Sequence, residues 1–461
     1  MVRKLMRNPR VNQRCSRIAE RGGSAPALAA QFAQLRGLEV RHARGGEGSQ
    51  PSAHGSAPLV ALSFAALNRM TSPERERLRA SVNEGTTLYL RGGANEGVRY
   101  QLAPLVDSSF TVGRITRVAA YRFTSHEMIP LVLRGEETAF VGALDCVSEL
   151  SGPVEPILLA RDEDGAETPV VFAYRVGKGA IICDVQADDE TTDTPLIWRM
   201  ADPVQRRVVV SALIAVERAA GRDLSCPVPF NLTIDDIPLG YDYLNESMLE
   251  DFLTHIESRC ARVHLDCGWI PTSQRISRRY VGILKSHGAG FLWHGMHRHV
   301  DHQKIENPPA DLEAGKRAMA INAQRYGVRL QPMIIFPFER AHRSAEELLL
   351  NEGFLGGAEQ PRHDEGAGLP EFLKYCDASC VHESGLRFMH RYEAQFLTRD
   401  RMIALASLGM PILAFAHPRD VRLRRLSQIV ERGGTFSHFD EVLDFASAKD
   451  LPGRSLEEIA R

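Results

Sequence analysis

No stretch of the chain comes near the roughly 20 consecutive apolar residues of a membrane span. No two cysteines sit at CxxC spacing. Cys15, Cys146, Cys183, Cys226, Cys260, Cys267, Cys376 and Cys380 are scattered through 461 residues. In so long a chain this excludes a disulfide framework and reads as reduced thiols of a cytoplasmic protein. No sign of charge dominates: 56 Lys+Arg face 58 Asp+Glu, for a formal net charge of -2. That balance argues against a dedicated nucleic-acid binder or a polybasic membrane protein. Residues 1–23 are basic but lack an apolar h-region, so they are not read as a secretory signal. They are Arg-rich and poor in acids. An organelle-targeting segment stands beside the plainer reading of a frayed basic helix or a mis-assigned start. No internal repeat and no low-complexity tract is visible. Collagen-like, coiled-coil and disordered classes are excluded by composition.

What is present is an ordinary globular composition, 44% apolar and 25% charged. The length is about three times that of a typical single domain, which predicts two or three domains. We expect a boundary between 1–225 and 226–461. In the first half, 59–64 is an apolar run of strand length. Thr71 and Glu74 fit a capping box, Pro73 suits the first helical turn, and Gly85 can end the helix. A second strand follows at 86–90. Strand, helix, strand with short connections predicts a parallel α/β layer. Residues 170–185 predict two strands around the turn Gly177-Lys178-Gly179, which lacks phosphate-loop spacing. Asp202-Pro203 opens a helix running to Gly221. The Gly- and Ser-rich stretch 44–57 reads as a loop or linker.

The second half repeats βα units. Strands are expected at 230–234, 262–265, 290–294, 330–336 and 412–416. Helices are expected at 275–285, 312–326, 345–350 and 399–407. The polar stretch 356–368 reads as a loop that borders a cleft. Such a repeat suits a barrel or an open parallel sheet, whose working groups gather at the C-terminal ends of strands.

Those ends carry a distinctive set. The first is Thr233-Ile234-Asp235-Asp236, two adjacent carboxylates that alone would pass for a turn or a helix cap. Another is Trp293-His294-Gly295-Met296-His297-Arg298-His299, part of a stretch holding four of the sixteen histidines in nine residues. The plain alternative there is an exposed polar loop. A third is Phe336-Pro337-Phe338-Glu339, and the last is Ala416-His417-Pro418. Imidazole plus carboxylate is a ligand set for a divalent metal, Zn in the first place. A free Asp beside it could serve as base and a remote His as acid. Cys376, Cys380 and His382 lie close together but lack a second pair at zinc-site spacing. His264 and Asp266 could line a pocket, or equally be a satisfied strand-end pair.

The second half resembles the polysaccharide deacetylases, a carbohydrate esterase group with a distorted (β/α) barrel. The resemblance covers about 230–420. It rests on the Asp235-Asp236 pair, the His294 turn, the strand ending in Pro337 and the late strand ending in His417. It implies that Asp235 is the catalytic base, that Asp236 and His294 hold a metal, and that His417 is the acid. The family's two histidines are four apart, and position 298 here is Arg. The second ligand is then His297 or His299. Trp293, Pro337, Phe338 and Glu339 are expected to touch substrate. The first half resembles the class I glutamine amidotransferase-like fold. Neither Cys146 nor Cys183 has the nucleophile's GxCxG setting, so that domain is expected to be non-catalytic.

The expected activity is metal-dependent removal of N-acetyl groups from a sugar or glycan, in the cytoplasm, with a homo-oligomer among the expected states. Two alternatives stand: a glycan-binding or scaffold protein on a degenerate barrel, and a glycoside hydrolase using Asp236 and Glu339.

Overall fold

A computed structural model describes residues 59–92, 95–186, 196–237, 244–272, 276–300, 305–337, 343–359, 386–421 and 435–461, together with 16–18, 29, 32–33 and 40–42. The stretch 44–57, Phe338, Glu339, residues 360–368, Cys376, Cys380 and His382 lie outside these. The chain divides into two compact units, Met1–Cys226 and Pro227–Arg461.

In the first unit, β1 (Ser16–Ile18) pairs in parallel with β2 (Val40–His42). A larger sheet begins with β3 (Leu59–Leu62) and β4 (Thr87–Arg91). Between them runs the helix Ser72–Asn83. The Thr71 amide donates to Glu74 Oε2 at 2.7 Å, so the expected capping box forms. The sheet continues with β5 (Arg99–Gln101), β6 (Ser109–Phe123), β7 (Glu137–Ser151), β8 (Glu155–Asp162), β9 (Glu167–Val176) and β10 (Gly179–Asp184). The order is β3-β4-β10-β9-β8-β6-β5, with β7 also on β6. Only β3, β4 and β10 are parallel to one another. The β9–β10 hairpin lies where the Gly-Lys-Gly turn predicts it. The long antiparallel strands β6 and β7 were not legible, because surface-facing residues interrupt their apolar alternation. Phe64, Phe110, Phe172 and Tyr174 pack edge to face through the core, with neighbouring ring centroids 5.3–5.8 Å apart, and Tyr100 stacks on Phe110 at 5.4 Å. Asp202 caps the helix Pro203–Ala219 by accepting from the Val204 amide at 2.8 Å.

The second unit is a ring of parallel strands: β11 (Phe230–Ile237), β12 (Leu265–Trp269), β13 (Gly290–His294), β14 (Leu330–Ile335), β15 (Gly356–Glu359), β16 (Arg387–His390), β17 (Tyr392–Glu393) and β18 (Ile412–Ala416). The order is β16-β15-β14-β13-β12-β11-β18-β17. Only Arg391 separates β16 at one edge from β17 at the other. The run 387–393 therefore joins both edges and closes the barrel, as expected for a distorted (β/α) barrel.

Two expectations are corrected. The second strand lies at Leu265–Trp269 and not 262–265, because barrel pairing outweighs the weak strand propensity of Asp-Cys-Gly. Residues 356–359 are a strand and not a loop. Gly-Gly-Ala carries no strand signal, yet the Phe336 ring packs where a Gly357 side chain would lie. The helix Glu246–Arg259 was also missed.

Strand alternation turns Asn231, Thr233 and Asp235 inward, with Asn231 and Thr233 in register with Leu413 and Phe415 of β18. Leu292, Met333, Ile335 and Leu413 fill the interior with Leu456 and Ala460 of the C-terminal helix Leu456–Ala460. Beneath them lies a polar layer. The buried Asp266 accepts from Asn231 Nδ2 at 2.9 Å, from the Leu456 amide at 2.8 Å and from Gln331. His264 lies 3.3 Å from it. Asp266 thereby ties the start of the C-terminal helix to the barrel interior.

Candidate active site

β11 breaks its regular pairing between Ile234 and Ile237, and Asp236 takes φ 54°, the left-handed region. An L-residue adopts that conformation at a cost of roughly 1–3 kcal/mol, tolerated where surrounding contacts enforce it. The bulge frees Asp236 from strand alternation. Both carboxylates then serve one end of the barrel, Asp235 pointing inward and Asp236 leaning across the mouth.

β13 delivers His294 to the same place. His294 Nε2 lies 2.8 Å from Asp236 Oδ1, and His299 Nε2 lies 3.0 Å from the same oxygen. One ligand atom each from Asp236, His294 and His299 falls within 4.8 Å of the others. The turn that returns His299 depends on Gly295, whose φ is 80°. A side chain there would meet Arg298 O at 2.7 Å and Pro337 Cγ at 3.0 Å. Pro337 thus packs against this turn. Gly268 matters in the same way: a Cβ would crowd Asp235, His294 and Ile335. His297 is not brought to the cluster. Its Nδ1 faces Asp311 Oδ1 at 3.6 Å, on the helix Pro308–Tyr326. Trp293 is also elsewhere. Adjacent strand residues face opposite ways, so it packs edge-on to Phe354 with centroids 5.3 Å apart. Phe338 and Glu339 lie outside the described residues.

Asp235 is 1% exposed and so is its partner Arg391, whose Nη1 lies 2.6 Å from Asp235 Oδ1. The guanidinium stacks over Phe415, 4.2 Å from its centroid. Asp235 Oδ2 is buried without a hydrogen-bond partner. Arg391 is the residue that sequence reading missed: it sits 156 residues from Asp235, with no motif around it. His417 follows β18, with Nε2 3.9 Å from Asp236 Oδ2 and Nδ1 3.5 Å from Asp420 Oδ2.

Burial would raise the Asp236 pKa, but the hydrogen bonds from His294 and His299 outweigh it and hold the carboxyl well below the usual range. The Asp236 hydrogen bond in turn raises His299 against the effect of its burial. The donor set is chemically that of a divalent-metal site: one ionised carboxylate and two imidazoles converging on a cleft. His294 Nδ1 is buried without a hydrogen-bond partner, so packing and Asp236 alone orient that ring.

No protein-family model and no curated protein matches the chain. Among solved structures it is similar to Agd3, described as a novel carbohydrate deacetylase, with a TM-score of 0.56 at 10% identity. The match covers 97% of this chain and 86% of that one. At this identity the likeness is one of fold. A family 4 carbohydrate esterase from Streptomyces lividans matches with a TM-score of 0.31 at 11% identity, over 50% of this chain and 94% of that one. A β-galactosidase from Bacillus circulans sp. alkalophilus matches with a TM-score of 0.31 at 10% identity, over 47% of this chain and 32% of that one. These two are too distant to carry an argument. Among the described residues, no helix is long and apolar enough to cross a membrane.

Proposed function

We propose that the second unit is a metal-dependent amide hydrolase that removes acetyl groups from an N-acetylated sugar or glycan. The observation that carries this reading is the convergence of Asp236, His294 and His299 beside a buried aspartate with one oxygen left free. The fold likeness to Agd3 supports the choice of substrate class.

Asp236, His294 and His299 would hold the metal, with His299 taking the place that the sequence left open between it and His297. When bound, a divalent ion polarises an acyl carbonyl and makes water a better nucleophile near neutral pH. Arg391 fixes Asp235 through Oδ1, which leaves Oδ2 to accept a proton from the attacking water. His417, across the same cleft, protonates the departing amine, and Asp420 faces its other nitrogen and orients the ring. An amine leaves poorly without that proton.

For the first unit we propose a non-catalytic domain of the glutamine amidotransferase type. Supporting this, burial pushes the Cys183 thiol far up, and burial likewise raises Cys146. Thiols so placed are poor nucleophiles.

The test is metal content by mass spectrometry, with release of acetate from N-acetylated oligosaccharides measured on the same samples. We expect near one equivalent of metal and measurable acetate release, both lost in Asp236→Ala. Metal-free protein that still releases acetate, or metal retained by the variant, would sink this assignment.

A further inference from the structure

We propose that the first unit binds a small anionic molecule, a carboxylate or phosphate on a body of sugar size. The site is a cavity at the start of β4, beside the β9–β10 turn and the end of the helix Pro203–Ala219. This cavity has a volume of about 560 Å³, within the range of pockets that enclose a small ligand. It lies at the opposite end of the parallel strands from their C-terminal ends. Its lining includes Thr87, Glu127, Lys178, Arg218, Arg222 and Asp223.

The charges do not cancel within the lining. Glu127 is engaged by Arg175, with Oε1 2.6 Å from Nη2. Asp223 Oδ1 accepts from the Ser225 amide at 2.8 Å and from its hydroxyl at 2.6 Å. Arg222 faces Glu217 at 3.7 Å. Asp223 keeps its negative charge, so the lining holds three cations, Lys178, Arg218 and Arg222, against two carboxylates, one of which is spent on Arg175. Neither the Lys178 nor the Arg218 side chain makes a hydrogen bond or ion pair among the described residues. Lys178 is exposed at the turn, but Arg218 is half-buried.

A guanidinium carries five donors and stays charged, so partly burying it with no protein acceptor leaves donors that a bound anion can take. Burial and the nearby Arg175 both lower the Arg218 pKa, and the through-space pull of Glu127 and Glu155 does not offset them. An oxyanion in the cavity would meet the planar donors of Arg218 on one side and the ammonium of Lys178 on the other. The mostly polar lining leaves little for an apolar body and suits hydroxyls.

The experiment is isothermal titration calorimetry on the full chain at low ionic strength. The probes are glucuronate, glucose 1-phosphate, inorganic phosphate and uncharged glucose. We expect saturable binding of glucuronate or glucose 1-phosphate, none of glucose, and an affinity loss of about tenfold or more in Arg218→Gln. Which of the two sugar anions binds more tightly identifies the source as carboxylate or phosphate. Lys178→Gln should weaken binding less, since that side chain is solvated. Circular dichroism and Tm check that the variants fold; if Arg218→Gln does not, Lys178→Glu serves as the charge-reversed test. No saturable binding, equal binding of glucose, binding of inorganic phosphate alone, or undiminished binding by folded variants would each overturn the proposal.

Discussion

Each unit buries an arginine against an aspartate at the C-terminal end of its parallel strands, and the two pairs are finished differently. In the first unit Arg91 Nη1 lies 3.2 Å from Asp184 Oδ2, both side chains at 1% exposure or less. Ser211 Oγ donates to the same oxygen at 2.6 Å, and the Gln186 amide and side chain occupy Oδ1 at 3.0 and 3.1 Å. Arg91 also reaches the Val208 carbonyl. Every oxygen of Asp184 is used. In the second unit Arg391 takes one oxygen of Asp235 and leaves the other unpartnered, next to a carboxylate and three imidazoles. A buried ion pair is therefore no sign of chemistry by itself. The sign is a spare acceptor held rigid beside groups that a substrate can reach.

Matched substitutions should separate the two pairs most sharply. Asp235→Asn keeps the shape of the Arg391 contact but loses the base, and acetate release should fall about 10²- to 10⁴-fold. Asp184→Asn should leave kcat untouched. Equal activity losses in both variants, measured as kcat on folded protein, would erase the distinction. Next in size is the effect on metal. His299→Ala should weaken metal affinity about 100-fold or more, while His297→Ala, aimed at Asp311, should change it little. Competition with a chelator reads both, and the reverse order would reassign the second ligand.

Stability offers a smaller contrast. Removing one partner of a closed buried pair leaves an uncompensated charge, so Arg91→Met should cost about 3–5 kcal/mol in urea unfolding. The smallest effect concerns acid. Burial pushes the His390 pKa down to about 4. An unfolded histidine titrates near 6.5, so between pH 6.5 and 4 the unfolded chain binds a proton that the folded one refuses. Stability is then lost as pH falls through that window, by up to about 3 kcal/mol. His390→Leu should flatten this part of the stability–pH curve, and an unchanged slope would show that other groups set it.

Several features were legible without coordinates because their causes are local. The Thr71–Glu74 box, the Asp202 cap and the β9–β10 turn each depend on residues a few positions apart. The same holds for strands that end in Asp235-Asp236, His294 or His417: an apolar run stopped by polar residues marks a strand end wherever it lies. The antiparallel strands 109–123 and 137–151 escaped notice because their burial is set by neighbours across the sheet.

The amino-acid order by itself determined which chemical groups stand at the ends of the barrel strands, since a strand's length and the residue that ends it are written within about ten positions. Only the tertiary structure decided which of them meet. It turned His299 toward Asp236 and His297 toward Asp311, placed Arg391 on Asp235 by closing the ring at β16 and β17, and cleared the space beside Gly268. Those outcomes depend on register, bulges and ring closure between strands far apart in the chain, and no local pattern encodes distances of that kind.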